Sequence, residues 1–337
     1  MMENSRKLET FLIMENIMKK QIVAAAVAAS ISAVAMADIS ITGAAKVNYT
    51  NVDSGVAGTA DTNNFKQEMD LKVKGKSGDT EVVINFGGDG LDATGTAAQS
   101  GGMNVEDAYV STSVAGVKIK SGTWDNGNNE LRASARNTGK FQANYDISGV
   151  GLSYLTASDN AGTEEYGIST SVAGVSLGFT KKAAGETIKA STSIGGINVK
   201  YLGLPSDTAN NDRDYFEVST TVGGVGIKVG QANADDSATI EGDTWMGDFE
   251  AASGAYDLTA GQDVQTVELS TSVAGNKVAF RNTQIDGVAG ADTDFNKIII
   301  TRPLASGATF ELTYTDLDDQ VDANDSDTLD LELAVKF

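Results

Sequence analysis

The chain contains no cysteine and no histidine. The first absence removes disulfides, thiol nucleophiles and cysteine-ligated zinc. The second removes histidine metal ligands and every catalytic triad built on imidazole. Proline is nearly missing too, with 2 among 337 residues, so no proline-rich linker divides the chain. Long apolar runs are absent. Hydrophobic residues make up 41% of the sequence, yet mean hydropathy is −0.16. The apolar residues are therefore dispersed, not gathered into the roughly 20-residue blocks of membrane helices. Basic residues are few against acidic ones, 25 against 46, giving a net charge of −21. This balance excludes the electropositive face that nucleic-acid binding needs. It leaves room for carboxylate chemistry or an all-oxygen calcium site.

What is present begins with an address label. Lys19 and Lys20 precede an apolar run from Ile22 to Val34 that ends in Ala35-Met36-Ala37. A basic start, a short apolar centre and an A-x-A site form the grammar of a secretory signal. Cleavage is expected after Ala37, with the mature chain starting at Asp38. Met18 stands directly before the two lysines, so it is the expected true start. Residues 1–37 are thus read as an upstream extension plus signal peptide, and 38–337 as a single domain.

After Asp38 the sequence alternates with period two, as strands with two different faces do. Ile39, Ile41, Val47 and Tyr49 fall on one face, and Ser40, Thr42, Lys46 and Asn48 on the other. A short repeat, Ser-Thr-Ser-Val-Ala-Gly, occurs at 111–116, 169–174 and 270–275, with variants at 191–196 and 219–224. Its small residues and glycine suit a tight turn between two strands. Further tight turns are expected at Ser77-Gly78, Ser148-Gly149, Ser253-Gly254 and Ser306-Gly307. Between the turns lie longer acidic loops rich in Gly, Asn and Asp, including 53–64, 89–103, 204–213, 232–244 and 317–327. Strict alternation of trimmed and elaborated connections is a property of transmembrane β-barrels. Counting hairpins allows an even strand number from 16 to 20, a size at which the lumen holds water.

The chain closes on an alternating strand. Leu329, Leu331, Leu333, Val335 and Phe337 share one face, and Asp330, Glu332, Ala334 and Lys336 the other. With this ending, the opening strand Asp38-Ile39-Ser40-Ile41-Thr42-Gly43, and hairpins such as Asp107 to Ile119, the chain resembles the general outer-membrane porins of Gram-negative proteobacteria. That resemblance spans 38–337. It implies an all-β transmembrane antiparallel barrel of 16 strands with short periplasmic turns and long external loops, located in the cell outer membrane and assembled as a homotrimer. It also implies that Leu329, Leu331, Leu333, Val335 and Phe337 are the signal read by the barrel-assembly machinery. The third external loop, 125–137, is implied to narrow the pore, with Asp125 and Glu130 facing Arg132 and Arg136 across a constriction.

Period two points Lys46, Lys72, Lys74, Lys118 and Lys120 into the lumen. The other expected partners are outer-membrane lipid and lipopolysaccharide, with no nucleic acid. No cofactor or defined metal site is expected. The acidic loops, such as 316–327, suit diffuse attraction of divalent cations; they lack the spacing and central glycine of an EF-hand. No enzymatic constellation stands out: there is no imidazole base and no G-x-S-x-G elbow. The leading function is a water-filled channel for passive diffusion of ions and small hydrophilic solutes, with net charge tilting it towards cations. The alternative is a structural or adhesive barrel with acidic surface loops and no significant conductance.

Overall fold

The computed structural model describes residues 38–55, 61–89, 103–125, 131, 136–158, 164–183, 185–238, 250–251, 254–255, 261–286, 292–319 and 325–337. The leader at 1–37 lies outside them. The strands are β1 (Asp38–Asp53), β2 (Thr62–Ser77), β3 (Thr80–Asp89), β4 (Asn104–Val114), β5 (Val117–Asp125), β6 (Arg136–Ile147), β7 (Val150–Ala157), β8 (Glu165–Val172), β9 (Val175–Lys182) and β10 (Gly185–Ile194). They continue with β11 (Ile197–Leu204), β12 (Arg213–Val222), β13 (Val225–Ala234), β14 (Glu250–Ala251), β15 (Gly254–Ala255), β16 (Asp263–Val273), β17 (Asn276–Asp286), β18 (Thr293–Pro303), β19 (Ala308–Asp319) and β20 (Ser326–Lys336). Among the described residues there is no helix long and apolar enough to cross a membrane.

Around the barrel each strand pairs antiparallel with the next, β13 with β16 past the intervening β14 and β15, and β20 pairs back onto β1, closing 18 strands. The expectation of 16 strands is therefore corrected to 18. The upper count of 20 fails for a local reason. The glycine near 254 does make a hairpin, but β14 and β15 pair only with each other, as a two-stranded sheet apart from the barrel. Conversely, the connection between Lys182 and Gly185 is a genuine link between β9 and β10 despite its shortness.

The repeat explains one end of the barrel. At its turns the two central residues both have positive φ: 51° and 84° at Ala115-Gly116, 51° and 82° at Ala173-Gly174, and 59° and 86° at Gly223-Gly224. This is the type I′ geometry whose twist matches paired strands. The threonine of the repeat has a second task. Thr170, Thr192, Thr220 and Thr271 each donate through Oγ1 to the turn-glycine carbonyl of the preceding hairpin, Gly149, Gly174, Gly196 and Gly224, at 3.1–3.2 Å. One short motif thus makes a turn and stitches it to its neighbour.

Closure is local as well. The Phe337 amide donates to the Gly43 carbonyl at 3.0 Å, and the Gly43 amide donates to Phe337 O at 2.7 Å. The Phe337 ring lies over the bare face of Gly43, where any side chain would collide with it.

Replacing Thr170, Thr192, Thr220 and Thr271 together by valine keeps shape and strand preference but removes the four stitches. At about 0.5–1.5 kcal/mol each, the variant should unfold in urea at a clearly lower midpoint. An unchanged midpoint would show that the stitches carry no stability.

Candidate pore and its lining

Register sorts every strand into two faces, because residues directly opposite across a ladder share a face. On β12, Phe216, Val218 and Val222 point one way and Arg213, Glu217 and Ser219 the other. Following the ladders round the ring puts Leu329, Leu331, Leu333 and Val335 on the same outer face as Phe216, and Asp330, Glu332 and Lys336 on the inner one. Many outer-face residues are large, apolar and exposed, among them Ile41, Met69, Ile168, Phe216 and Leu333. An apolar outer face around a polar inner one is the arrangement of a barrel solvated by lipid outside and water inside.

The same ladders place Lys46, Lys72, Lys74, Lys118 and Lys120 on the inner face. Lys46 and Lys66 grip Glu68 at 2.6 and 2.8 Å. Lys182 pairs with Glu165 at 2.8 Å. Arg281 holds Glu268 through two nitrogens, at 2.7 and 3.1 Å. A separate cluster forms where β4, β5 and β6 meet. Lys120 Nζ lies 3.8 Å from the Tyr109 ring centre and 4.3 Å from that of Trp124. Lys140, only 1% exposed, donates to the Trp124 carbonyl at 2.7 Å. Asp107 accepts from Asn85 at 2.6 Å and from the Asp125 amide at 3.1 Å. Aromatic faces thus hold an ammonium group on the wall. Lys140 shares a sequence face with Gln142 and Asn144 and was readable as inward-facing. Its contact with Trp124 spans two strands and was not.

Of the expected constriction residues, Asp125 ends β5 and stands opposite Arg136 at the start of β6. Glu130 and Arg132 lie outside the described residues, and of Arg136 only the backbone is described. Leu131 is described, and sequence reasoning passed over it. It is fully buried, in one apolar cluster with Leu202, Leu204, Tyr215, Ala232, Val264, Ile285, Phe295 and Leu317. These partners lie on the inner face of β11–β13 and β16–β19 near the loop end. β16 stands diametrically opposite β5 in the ring. Leu131 therefore sits inside the barrel against the far wall, and Arg213 Nη1 donates to its carbonyl at 3.5 Å. A lone leucine in an otherwise polar loop was the available signal.

The charges near the loop end are distributed differently. On the outer face near the loop end, Asp263 stands opposite Asp286, Asp294 opposite Asp318, and Asp316 opposite Asp327. Like charges directly across a ladder are tolerable only where water screens them. Among the described residues no cluster of carboxylates has the geometry of a metal site.

No family model matches the chain, and no curated protein sequence does. Solved structures do. OpdL of Pseudomonas aeruginosa aligns over 89% of this chain and 99% of its own, with a TM-score of 0.66 and 10% identity. OccK2 (OpdF) of the same organism aligns over 89% and 98%, with a TM-score of 0.65 and 13% identity. A mutant Rh. blastica porin aligns over 89% and 100%, with a TM-score of 0.53 and 15% identity. What these proteins share with the chain is the fold, a porin-type barrel.

The Glu268–Arg281 pair is largely enclosed, with side-chain exposures of 15% and 11%. Glu268→Gln removes the negative charge beside a largely enclosed guanidinium and should lower unfolding stability by about 1.5–3 kcal/mol. Glu268→Leu combined with Arg281→Met should recover most of that loss. A double variant as weak as the single one would show that the wall needs the ion pair itself.

Proposed function

We propose that the chain is an outer-membrane porin, a passive channel for ions and small hydrophilic solutes across the Gram-negative outer membrane. The observation that carries this reading is the closed 18-stranded ring with lysines, carboxylates and hydroxyls inside and exposed apolar residues outside. Closure leaves no unpaired strand edge for the hydrocarbon to meet. A ring of about this size encloses water. In this reading the signal at 18–37 directs export and is cleaved after Ala37. The assembly machinery reads Leu329, Leu331, Leu333, Val335 and Phe337, and lipid and lipopolysaccharide surround a homotrimer. The tight turns face the periplasm and the acidic loops the exterior, where they attract divalent cations diffusely. No cofactor and no catalysis enter.

The constriction belongs to the same reading. Leu131 against the far wall supports it: Glu130 and Arg132 flank Leu131 in sequence, while Asp125 and Arg136 stand as a directly opposed pair where β5 and β6 meet. Charges held across a narrow aqueous passage filter solutes by charge and dipole. In this reading Leu131, seated in the apolar cluster, is the anchor of that segment.

Purified protein added to a planar lipid bilayer should give stepwise current increments of uniform size. A protein that folds into bilayers without conducting would favour the structural or adhesive alternative. Leu131→Asp places a carboxylate in the apolar cluster and should release the segment. Single-channel conductance should then rise, with added current noise. Conductance and noise equal to wild type would show that Leu131 is not an anchor.

A further inference from the structure

The chain's charge is acidic, but the barrel does not distribute it evenly. Following register around the ring, the lysines and arginines of the strands whose side chains are described all project inward except Lys181 and Arg302. The carboxylates divide differently. Asp214, Asp263, Asp286, Asp294, Asp316 and Asp327 stand on the outer face. Several inward carboxylates are already matched by a cation: Glu68 by Lys46 and Lys66, Glu81 by Lys74, Glu165 by Lys182, and Glu268 by Arg281.

Other inward lysines are not matched in this way. Lys72, Lys118 and Lys189 have no ion-pair partner among the described residues. Lys120 lies over the Tyr109 and Trp124 rings, which stabilise an ammonium without cancelling its charge. Lys118 and Lys189 border one recess in the inner wall, of about 340 Å³. Its floor is Gly151, Gly167 and Gly178, which have ordinary backbone angles and so are not required for a turn. At Gly151 and Gly167 a side chain would displace the hydroxyls of Ser169 and Ser153, which lie over them. The recess thus presents hydroxyl groups between two ammonium groups, with Asp146 as the carboxylate on its rim. The inner face also carries Asp70, Asp107 (beside Lys120), Glu217 and Asp330, and an acidic pair, Glu311 opposite Glu332, on β19 and β20 towards the turn end.

We infer that the channel favours anions over cations of similar size, and that Lys72, Lys118, Lys120 and Lys189 on the β2–β10 wall set the preference. This rests on the porin reading and reverses the direction that net charge alone indicates. Ions in a pore respond to the charges lining it, because charges beyond it are screened within about 8–10 Å at physiological ionic strength. The acidic outer rim is separated from the lumen by the wall itself. Hydroxyls and ammonium groups together suit small oxyanions and carboxylates.

The test is the zero-current potential of the full chain in a planar bilayer across a tenfold KCl gradient. The wild type should reverse towards the chloride equilibrium potential. The triple variant Lys72→Glu, Lys118→Glu and Lys189→Glu should reverse towards that of potassium. The glutamine triple variant, which adds no like-charge strain, should fall between and guards against failure of the first to fold. Lys181→Glu, on the outer face, should leave the potential unchanged. A wild type that reverses towards potassium overturns the inference, as does a glutamine variant with the wild-type potential. Absence of any conductance overturns the porin reading, which current steps measured independently of selectivity will distinguish.

Discussion

The structure depends on one constraint: every backbone amide and carbonyl at membrane depth must find its partner within the sheet. An unpaired group in hydrocarbon costs several kcal/mol, so the first strand must meet the last. Here the meeting is between β1 and β20, with ten directly opposed residue pairs from Ala44–Lys336 to Asp53–Asp327. Phe337 completes it by exchanging both hydrogen bonds with Gly43 and laying its ring on that glycine. Once the ring is closed, the strand period of two decides the rest. One face turns outward and the other inward, to lipid and to the lumen in the porin reading.

That division gives charge a location. The lysines gather inside, where water and paired carboxylates hold them, and much of the acid stands on the outer rim and in the loops. A sequence pI of about 4.3 therefore describes the whole surface and not the passage through it. The thin aromatic content, 7%, fits the same economy. At the turn end, aliphatic pairs such as Val114–Val117, Val172–Val175 and Val222–Val225 directly flank the turns on the outer face, where outer-membrane barrels often carry aromatic girdles. Stitching threonines then supply the turn carbonyls with donors that the membrane interface would otherwise have to provide.

Much of the fold was legible in the sequence because its signals are local. The repeat marked the turns at Ala115, Ala173 and Ala274, and alternation marked which lysines face inward. Strand number was less legible. The glycine near 254 has the chemistry of a barrel turn, and only pairing across the sheet shows that β14 and β15 stand apart. The pore's interior was least legible, because its contacts are between distant strands. Leu202, Tyr215 and Phe295 break the polar pattern of the inner face near the loop end, and nothing in their own strands announces that Leu131 meets them. The same holds for Lys140 and Trp124, neighbours only across the β5–β6 ladder.

The central claim is that a closed ring places alternate residues in lipid and in water. The absence of native cysteine makes it directly measurable by single-cysteine substitution along β12, from Arg213 to Val222, in the membrane-embedded protein. A small membrane-impermeant thiol reagent should label cysteines at Glu217, Ser219 and Thr221, while those at Phe216, Val218 and Thr220 should resist it. Uniform labelling, or the opposite parity, would contradict the account.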